Sequence, residues 1–189
     1  MSSSDDHTAS GSAPRATAVF LDRDDTLVAD SGYMSDADAI RLLPGVATAL
    51  QQLQAAGWQL VLISNQSGVA RGLVTRDQVQ AIEERLVQLL PGIRFAAFEY
   101  CFHHPDQACG CRKPAPQMIL RAARRLQLDL PASVMVGDTE TDVQAGNAAG
   151  CWSVRLMSEP GPTAADHVAP DLERAAAWVL GGMGRKGTV

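Results

Sequence analysis

The strongest constraint on the fold is a regular alternation of short apolar runs with segments that carry helical signals. Five apolar runs predict strands: 17–21, 58–64, 94–100, 133–138 and 151–156. Five segments predict helices: 45–57, 75–90, 116–127, a short Ala-rich stretch after 138, and a stretch near 171–180. Strands that alternate with helices across short loops favour a parallel sheet with helices on both faces. We therefore expect an α/β protein, a Rossmann-like three-layer αβα sandwich with a parallel sheet.

The composition indicates one ordinary globular domain. The 189 residues are 46% hydrophobic and 20% charged, with a net charge of −5. We interpret residues 1–15 as a disordered leader, 16–180 as a single domain and 181–189 as a loose tail. The mild acidity and the absence of a basic stripe argue against nucleic-acid binding. The sequence shows neither a secretory signal nor a membrane-length apolar run, so we expect a cytoplasmic protein, and we expect it to be monomeric.

Polar side chains follow four of the predicted strands at the point where each strand ends. In order along the chain they are Asp22 and Asp24, Ser64 and Asn65, the loop that reaches Lys113, and Asp138. In open parallel sheets, ligands bind beyond the carboxyl ends of the strands. Four separate segments therefore converge on one candidate site.

The acidic loop "DRDDT" contains the most informative of these residues. In an extended backbone alternate side chains share a face, so Asp22, Asp24 and Thr26 point one way and Arg23 and Asp25 the other. Two carboxylates that face one pocket can both remain ionised beside a divalent cation, and an all-oxygen site suits Mg²⁺. The alternative is that the pair only caps a turn or a helix.

Four ordered motifs resemble those of the haloacid dehalogenase superfamily of phosphatases. They are "DRDDT", "SNQ", "RKP" and "GDTETD", and the resemblance runs from about residue 17 to 156. It implies that Asp22 is the nucleophile, that Asp24 is the general acid and then the general base, and that Ser64 and Lys113 hold the transferring phosphoryl group. It also implies that Mg²⁺ is bound by Asp22, the backbone carbonyl of Asp24, and Asp138.

A second candidate metal site lies in the loop "CFHHPDQACGC". Cys101, His103, Cys109 and Cys111 supply three thiolates and one imidazole, a set typical of closed, structural zinc sites. His104 competes with His103 as the fourth ligand, and the spacing does not decide between them. The alternative is that these cysteines are incidental packing residues.

The same zinc loop before "CRKP" resembles two related phosphatase families. One acts on D-glycero-D-manno-heptose 1,7-bisphosphate and the other on histidinol phosphate. In both, the zinc ligands align with Cys101, His103, Cys109 and Cys111. The resemblance implies that the zinc loop shapes the pocket entrance in a chain that has no large cap domain.

Two further stretches, "DSGY" and "NQSGVARG", are similar to substrate loops of the heptose bisphosphate phosphatases. This similarity implies substrate or phosphate contacts for Asp30, Tyr33, Asn65 and Gln66, and for Arg112 beside Lys113. It favours removal of the 7-phosphate of the heptose bisphosphate. The alternative substrates are histidinol phosphate and other phosphorylated sugars.

The sequence departs from the family pattern at two positions. Thr139 stands where heptose enzymes often have a substrate-binding lysine, which weakens the case for a second phosphate. Asp25 replaces the usual glycine, and we expect it to adopt a left-handed backbone, which Asp tolerates better than most residues.

Two alternative functions come from other classes of protein. A phospho-receiver domain also places paired acids and a lysine around Mg²⁺, but its phosphoacceptor follows a later strand, where this chain has Ser64 and Asn65. A non-catalytic, zinc-stabilised binding module is the other alternative, although both Asp22 and Asp24 are retained.

Overall fold

The computed structural model of the chain describes residues 15–29, 32–159 and 161–183. Six strands occur in this part of the chain: β1 (Ala18–Leu21), β2 (Gln59–Asn65), β3 (Phe95–Cys101), β4 (Val134–Gly137), β5 (Trp152–Leu156) and β6 (His167–Ala169). The same residues form five α-helices: α1 (Val46–Ala55), α2 (Arg76–Leu89), α3 (Gln117–Leu126), α4 (Glu140–Ala149) and α5 (Leu172–Leu180). A short 3₁₀ turn spans Ala37–Ala39.

The six strands form one sheet in the order β3-β2-β1-β4-β5-β6, and every pairing is parallel. The chain builds outward from β1 to β3, then returns to the other side of β1 to add β4. This reversal creates a topological switch point between β1 and β4, where ligands bind in open α/β sheets. The parallel sheet predicted from the sequence is confirmed.

Side chains of the central strands alternate between two apolar cores, one on each face of the sheet. Val19 and Leu21 of β1 pack with apolar residues of α1, α2 and α5. Ala18 and Phe20, which point the other way, pack with apolar residues of α3 and α4. Because β1 is buried on both faces, the end of this strand is held firmly in place.

Local sequence signals account for the start of two helices. Thr75 and Gln78 form the predicted capping box of α2, with hydrogen bonds of 2.8 and 3.1 Å. Thr139 and Asp142 form a second capping box at α4, where the Thr139 amide donates to the Asp142 carboxylate at 3.0 Å. The second box places Asp142 at the same sheet edge as the candidate site.

The structure also departs from the sequence-based element list. Strand β6, at the edge of the sheet, was not predicted; it pairs with β5 through Val154–Leu156 and His167–Ala169. Residues 1–14 of the predicted leader and 184–189 of the predicted tail lie outside the described residues. None of the described helices has the length and apolar character needed to cross a membrane.

We predict that Phe20→Ala lowers the free energy of unfolding by about 3–5 kcal/mol, because Phe20 is fully buried between β1 and the helices of one face. Urea unfolding followed by circular dichroism measures this loss. Val87→Ala is the control, since Val87 is 41% exposed on α2, and its effect should stay within about 0.5 kcal/mol. Equal losses in the two variants would contradict the assigned core.

Candidate active site

The predicted polar residues meet at the carboxyl edge of the sheet, beside the switch point between β1 and β4. They line a cavity of about 250 Å³. The lining residues are Asp22, Asp24, Asp25, Ser64, Asn65, Arg112, Lys113, Asp138, Thr139 and Thr141. The structure therefore brings together in space segments that are more than a hundred residues apart in the sequence.

Lys113 is the centre of this site. Its Nζ lies 2.7 Å from Asp22 Oδ1 and 2.6 Å from Asp142 Oδ1, and it donates a hydrogen bond of 3.1 Å to the carbonyl of Ile63. The side chain is almost fully buried. A buried ammonium group without partners would be very costly, so these three acceptors fix its position.

Asn65 holds the backbone of Lys113 in place. Its side-chain Oδ1 accepts from the Lys113 amide at 3.0 Å, and its Nδ2 donates to the Lys113 carbonyl at 3.2 Å. Both ends of the Asn65 amide group are thus used by one residue. This geometry connects the end of β2 directly to the loop that follows β3.

The buried charges shift one another's pKa values. Burial raises the pKa of Asp22 to about 7; the nearby Asp142 carboxylate adds to this rise, and Lys113 opposes it. Burial, together with Asp142, raises the pKa of Asp138 to about 6. Burial by itself would lower the pKa of Lys113, but Asp22 and Asp142 outweigh burial and raise it. Lys113 is therefore a cation at neutral pH.

The same electrostatics fit a divalent cation. Carboxylate oxygens of Asp22, Asp138 and Asp142 lie within 4.8 Å of one another. Asp142 already binds Lys113 through one oxygen and the Thr139 amide through the other. Burial, and to a smaller extent the neighbouring Asp142 carboxylate, raise the pKa values of Asp22 and Asp138, and a hard cation such as Mg²⁺ would favour their ionised forms.

Asp24 is held from two sides. Arg23 makes a bidentate, or two-pronged, contact with its carboxylate: Nε donates to Oδ1 at 3.0 Å and Nη2 donates to Oδ2 at 3.1 Å. Gln66 Nε2 donates to the same Oδ2 at 3.1 Å and to Ser64 Oγ at 2.8 Å. Asp24, in the loop after β1, and Ser64, in β2, are therefore linked through one amide group.

The remaining predicted contact residues differ in position. Arg112 lines the cavity, and its Nη1 is buried without a hydrogen-bond partner among the described residues. Tyr33 is 48% exposed, does not line the cavity, and lies with its ring close to Gly68. Asp30 falls outside the described residues.

The backbone of the acidic loop also matches one prediction. Asp25 has φ of 51°, a left-handed conformation that disfavours most side chains. The expectation that Asp25 occupies a position suited to glycine is confirmed.

Thr139, at the position where a lysine is usual, has a structural contact instead. Its hydroxyl lies 2.6 Å from Asp142 Oδ2.

The Cys/His loop brings four potential zinc ligands together. Cys101 Sγ lies 3.7 Å from Cys109 Sγ and 3.2 Å from Cys111 Sγ, while His103 Nδ1 lies 3.5 Å from Cys101 and 3.1 Å from Cys111. A tetrahedral zinc ion with Zn–S bonds of about 2.3 Å needs roughly 3.8 Å between sulfurs, so the set fits zinc after small adjustments.

The structure distinguishes between the two histidines that the sequence left open. His103 is in the cluster, whereas His104 Nδ1 lies 3.3 Å from Asp106 Oδ2. Cys101 ends β3, and Cys111 directly precedes Arg112 and Lys113. The cluster therefore lies at the base of the segment that carries the two cationic residues of the site.

Sequence reasoning gave no role to Arg23, because strand alternation places it on the face opposite Asp24. Its side chain is long enough to return to its neighbour, and only 2% of the residue is exposed. The one available signal was a charged residue inside an otherwise buried segment, since buried arginines need a partner.

Comparison with protein-family models and with known proteins gives one consistent result. Residues 15–150 match the model of haloacid dehalogenase-like hydrolases. A D-glycero-beta-D-manno-heptose-1,7-bisphosphate 7-phosphatase from Yersinia pestis is 38% identical over 175 residues, which cover 88% of this chain and 90% of that protein. The enzyme of the same name from Pasteurella multocida is 40% identical over 171 residues, covering 86% and 90%.

Solved structures show the same relationship. The D,D-heptose 1,7-bisphosphate phosphatase from B. bronchiseptica, complexed with magnesium and phosphate, superposes with a TM-score of 0.78 at 34% identity, covering 87% of this chain and 98% of that one. A putative HAD-like phosphatase from Mesorhizobium loti gives a TM-score of 0.79 at 31% identity, covering 88% and 87%. Because the family model matches residues 15–150, which are most of the chain, the chain belongs to the haloacid dehalogenase-like hydrolases.

Proposed function

We propose that this chain is a Mg²⁺-dependent phosphatase that removes the 7-phosphate of D-glycero-β-D-manno-heptose 1,7-bisphosphate. The observation that carries the reaction type is the buried Asp22–Lys113 pair, 2.7 Å apart at the switch point of the sheet. Family membership and relatives named for this reaction, at 38 and 40% identity over most of the chain, support the substrate. Family membership and these relatives disfavour a phospho-receiver domain and a non-catalytic binding module.

The proposed mechanism begins with attack by the Asp22 carboxylate on phosphorus. A bond forms between an Asp22 oxygen and phosphorus, the bond from phosphorus to the sugar oxygen breaks, and Asp24 delivers a proton to the departing oxygen. Water then attacks phosphorus and Asp24 takes its proton; the bond between phosphorus and the Asp22 oxygen breaks, which frees the Asp22 carboxylate and inorganic phosphate. Lys113 and Ser64 hold the oxygens of the group in transfer.

Mg²⁺ would be held by Asp22, Asp138 and the backbone carbonyl of Asp24, and when bound it neutralises charge on the phosphoryl oxygens. Asp142 stabilises this arrangement. One of its oxygens contacts and orients Lys113, and the other accepts a hydrogen bond from the Thr139 amide at the start of α4. The three carboxylates and one lysine leave net negative charge at the site, which a divalent cation complements.

The cavity also has a candidate for the phosphate that is retained. Arg112 lines the cavity, its buried Nη1 has no hydrogen-bond partner among the described residues, and a guanidinium group can bind a phosphate through two hydrogen bonds. Asp30 and Tyr33 remain predicted substrate contacts. Asn65 and Gln66 contribute mainly through Lys113 and Asp24, the residues that their side chains contact.

We further propose that Cys101, His103, Cys109 and Cys111 bind one structural zinc ion. The four ligand atoms are mutually within 4.8 Å, and burial raises the pKa of the Cys101 thiol to about 12. A bound zinc ion would keep this sulfur ionised. The cytoplasmic location and the monomeric state stay predictions.

The substrate is tested by comparing kcat/KM for heptose 1,7-bisphosphates of both anomers, histidinol phosphate and several hexose phosphates. We expect the highest value with the β-anomer of the heptose bisphosphate. A preference for histidinol phosphate would contradict the proposed substrate and leave the proposed chemistry intact.

We predict that Asp22→Asn lowers steady-state turnover by more than about a thousandfold, because the amide cannot form the aspartyl phosphate. Release of inorganic phosphate measures turnover, and circular dichroism verifies the fold. The control is Asp38→Asn, which neutralises a highly exposed carboxylate and should leave activity unchanged. Near-wild-type turnover by Asp22→Asn would refute the assignment of the nucleophile.

We predict that the purified protein contains close to one zinc ion per chain and that Cys109→Ser loses most of it, because one ligand of the closed site is removed. Plasma mass spectrometry gives the metal content. Cys151→Ala is the matched control, since Cys151 is a buried free cysteine outside the cluster. Zinc-free wild-type protein, or full zinc retention by Cys109→Ser, would refute the site.

A further inference from the structure

Arg23 is a buried cation that donates two hydrogen bonds to one carboxylate. The residue is 2% exposed, and its Nε and Nη2 bind the two oxygens of Asp24 at 3.0 and 3.1 Å. Its Nη1 is buried with no partner among the described residues. Asp24 is thus the acidic group that compensates this buried charge, so the contact is strongly enforced.

The backbone around Arg23 makes the contact rigid. The Arg23 carbonyl accepts hydrogen bonds from the amides of Leu27 at 2.8 Å and Val28 at 3.1 Å. Leu27 and Val28 are themselves fully buried. The loop that carries Asp22 and Asp24 is therefore closed on itself at the Arg23 backbone, which fixes the point from which the arginine side chain reaches Asp24.

Gln66 completes the arrangement from the neighbouring strand. Its Nε2 donates to Asp24 Oδ2, and its backbone amide donates to the Cys101 carbonyl at 2.8 Å. A two-pronged contact fixes the plane of a carboxylate, and a third donor on one oxygen fixes its rotation. Three hydrogen bonds from two side chains consequently constrain the Asp24 carboxylate, which lines the cavity.

We propose that Arg23 is a positioning residue that sets the orientation of the Asp24 carboxylate for proton transfer, with Gln66 as its partner. This inference rests on the proposed function, in which Asp24 gives a proton to the leaving oxygen and later takes one from water. Arg23 is not among the residues that line the cavity and is only 2% exposed, so it acts through Asp24. Its effect is therefore confined to the step in which the Asp24 proton moves.

A comparison of two substrates with different leaving groups distinguishes a positioning role for Arg23 from a merely structural one. When a sugar oxygen departs, it must receive a proton, so the position of Asp24 matters. When p-nitrophenolate departs from p-nitrophenyl phosphate, it leaves as a stable anion and needs no proton. The value of kcat/KM covers the steps up to that departure, whichever later step limits kcat.

We predict that Arg23→Met lowers kcat/KM for the preferred sugar phosphate about a hundredfold, a loss typical of a misplaced catalytic group. For p-nitrophenyl phosphate the loss should stay below about fivefold, because its leaving group needs no proton from Asp24. Arg23→Lys keeps the charge without the two-pronged contact and should fall between Arg23→Met and wild type. Arg41→Met, at an exposed arginine that donates to the Asp38 and Ile40 carbonyls, is the control and should change neither value.

A double-mutant cycle with Asp24→Asn tests the coupling directly. Once Asp24 cannot carry the proton, Arg23→Met should not change the ratio of the two kcat/KM values any further. If Arg23→Met does not fold, Arg23→Lys and Gln66→Leu provide the same comparison, because each removes one constraint on Asp24.

The outcomes separate the two proposals. Wild-type protein that hydrolyses neither substrate contradicts the proposed function. Wild-type activity combined with equal losses on both substrates in the Arg23 variants contradicts the positioning role alone. A further change in the substrate ratio when Arg23→Met is added to Asp24→Asn also contradicts it.

Discussion

The buried contact of Lys113 with Asp22 and Asp142 is the interaction on which the rest of the site depends. One ammonium group lies 2.7 and 2.6 Å from two carboxylates in a region with little solvent. Neither carboxylate could be buried there alone at a tolerable cost, and neither could the lysine. The three residues come from the end of β1, the loop after β3 and the first turn of α4, so their mutual compensation joins three parts of the sheet edge.

A glycine beside Asp142 leaves room for this cluster of charged side chains. Gly137, the last residue of β4, has no room for a side chain, because an added Cβ would collide with the Asp142 carboxylate. Asp142 is also the third residue of the capping box of α4, where its second oxygen accepts from the Thr139 amide and faces the Thr139 hydroxyl. One carboxylate thus starts a helix and neutralises a buried lysine. A lysine at position 139 could not make the hydroxyl contact, so the departure from the family pattern here has a structural consequence.

Much of this arrangement could be predicted from the sequence, and its limits have physical causes. Apolar runs that end in polar residues placed Asp22, Ser64 and Asp138 at one edge, because carboxyl ends of parallel strands share an edge. Strand β6 was missed since its three residues, His167–Ala169, carry too weak an apolar pattern to stand out from a loop. The partners of Arg23 and Gln66 were missed for another reason. Periodicity gives the direction of a Cβ atom, while long side chains can bend back to groups that only the folded chain brings near.

The Cys/His cluster lies in the loop that carries Lys113. A lysine at the end of a long loop would lose considerable conformational entropy on entering a buried site, unless the loop were already ordered. Here Cys101 is anchored at the end of β3, Cys111 is two residues before Lys113, and their sulfurs lie 3.2 Å apart. Asn65 then holds the Lys113 backbone from the adjacent strand. A metal bound at the cluster would restrain the backbone at Cys111, two residues before Lys113, and so would reduce the entropy that the lysine loses on burial.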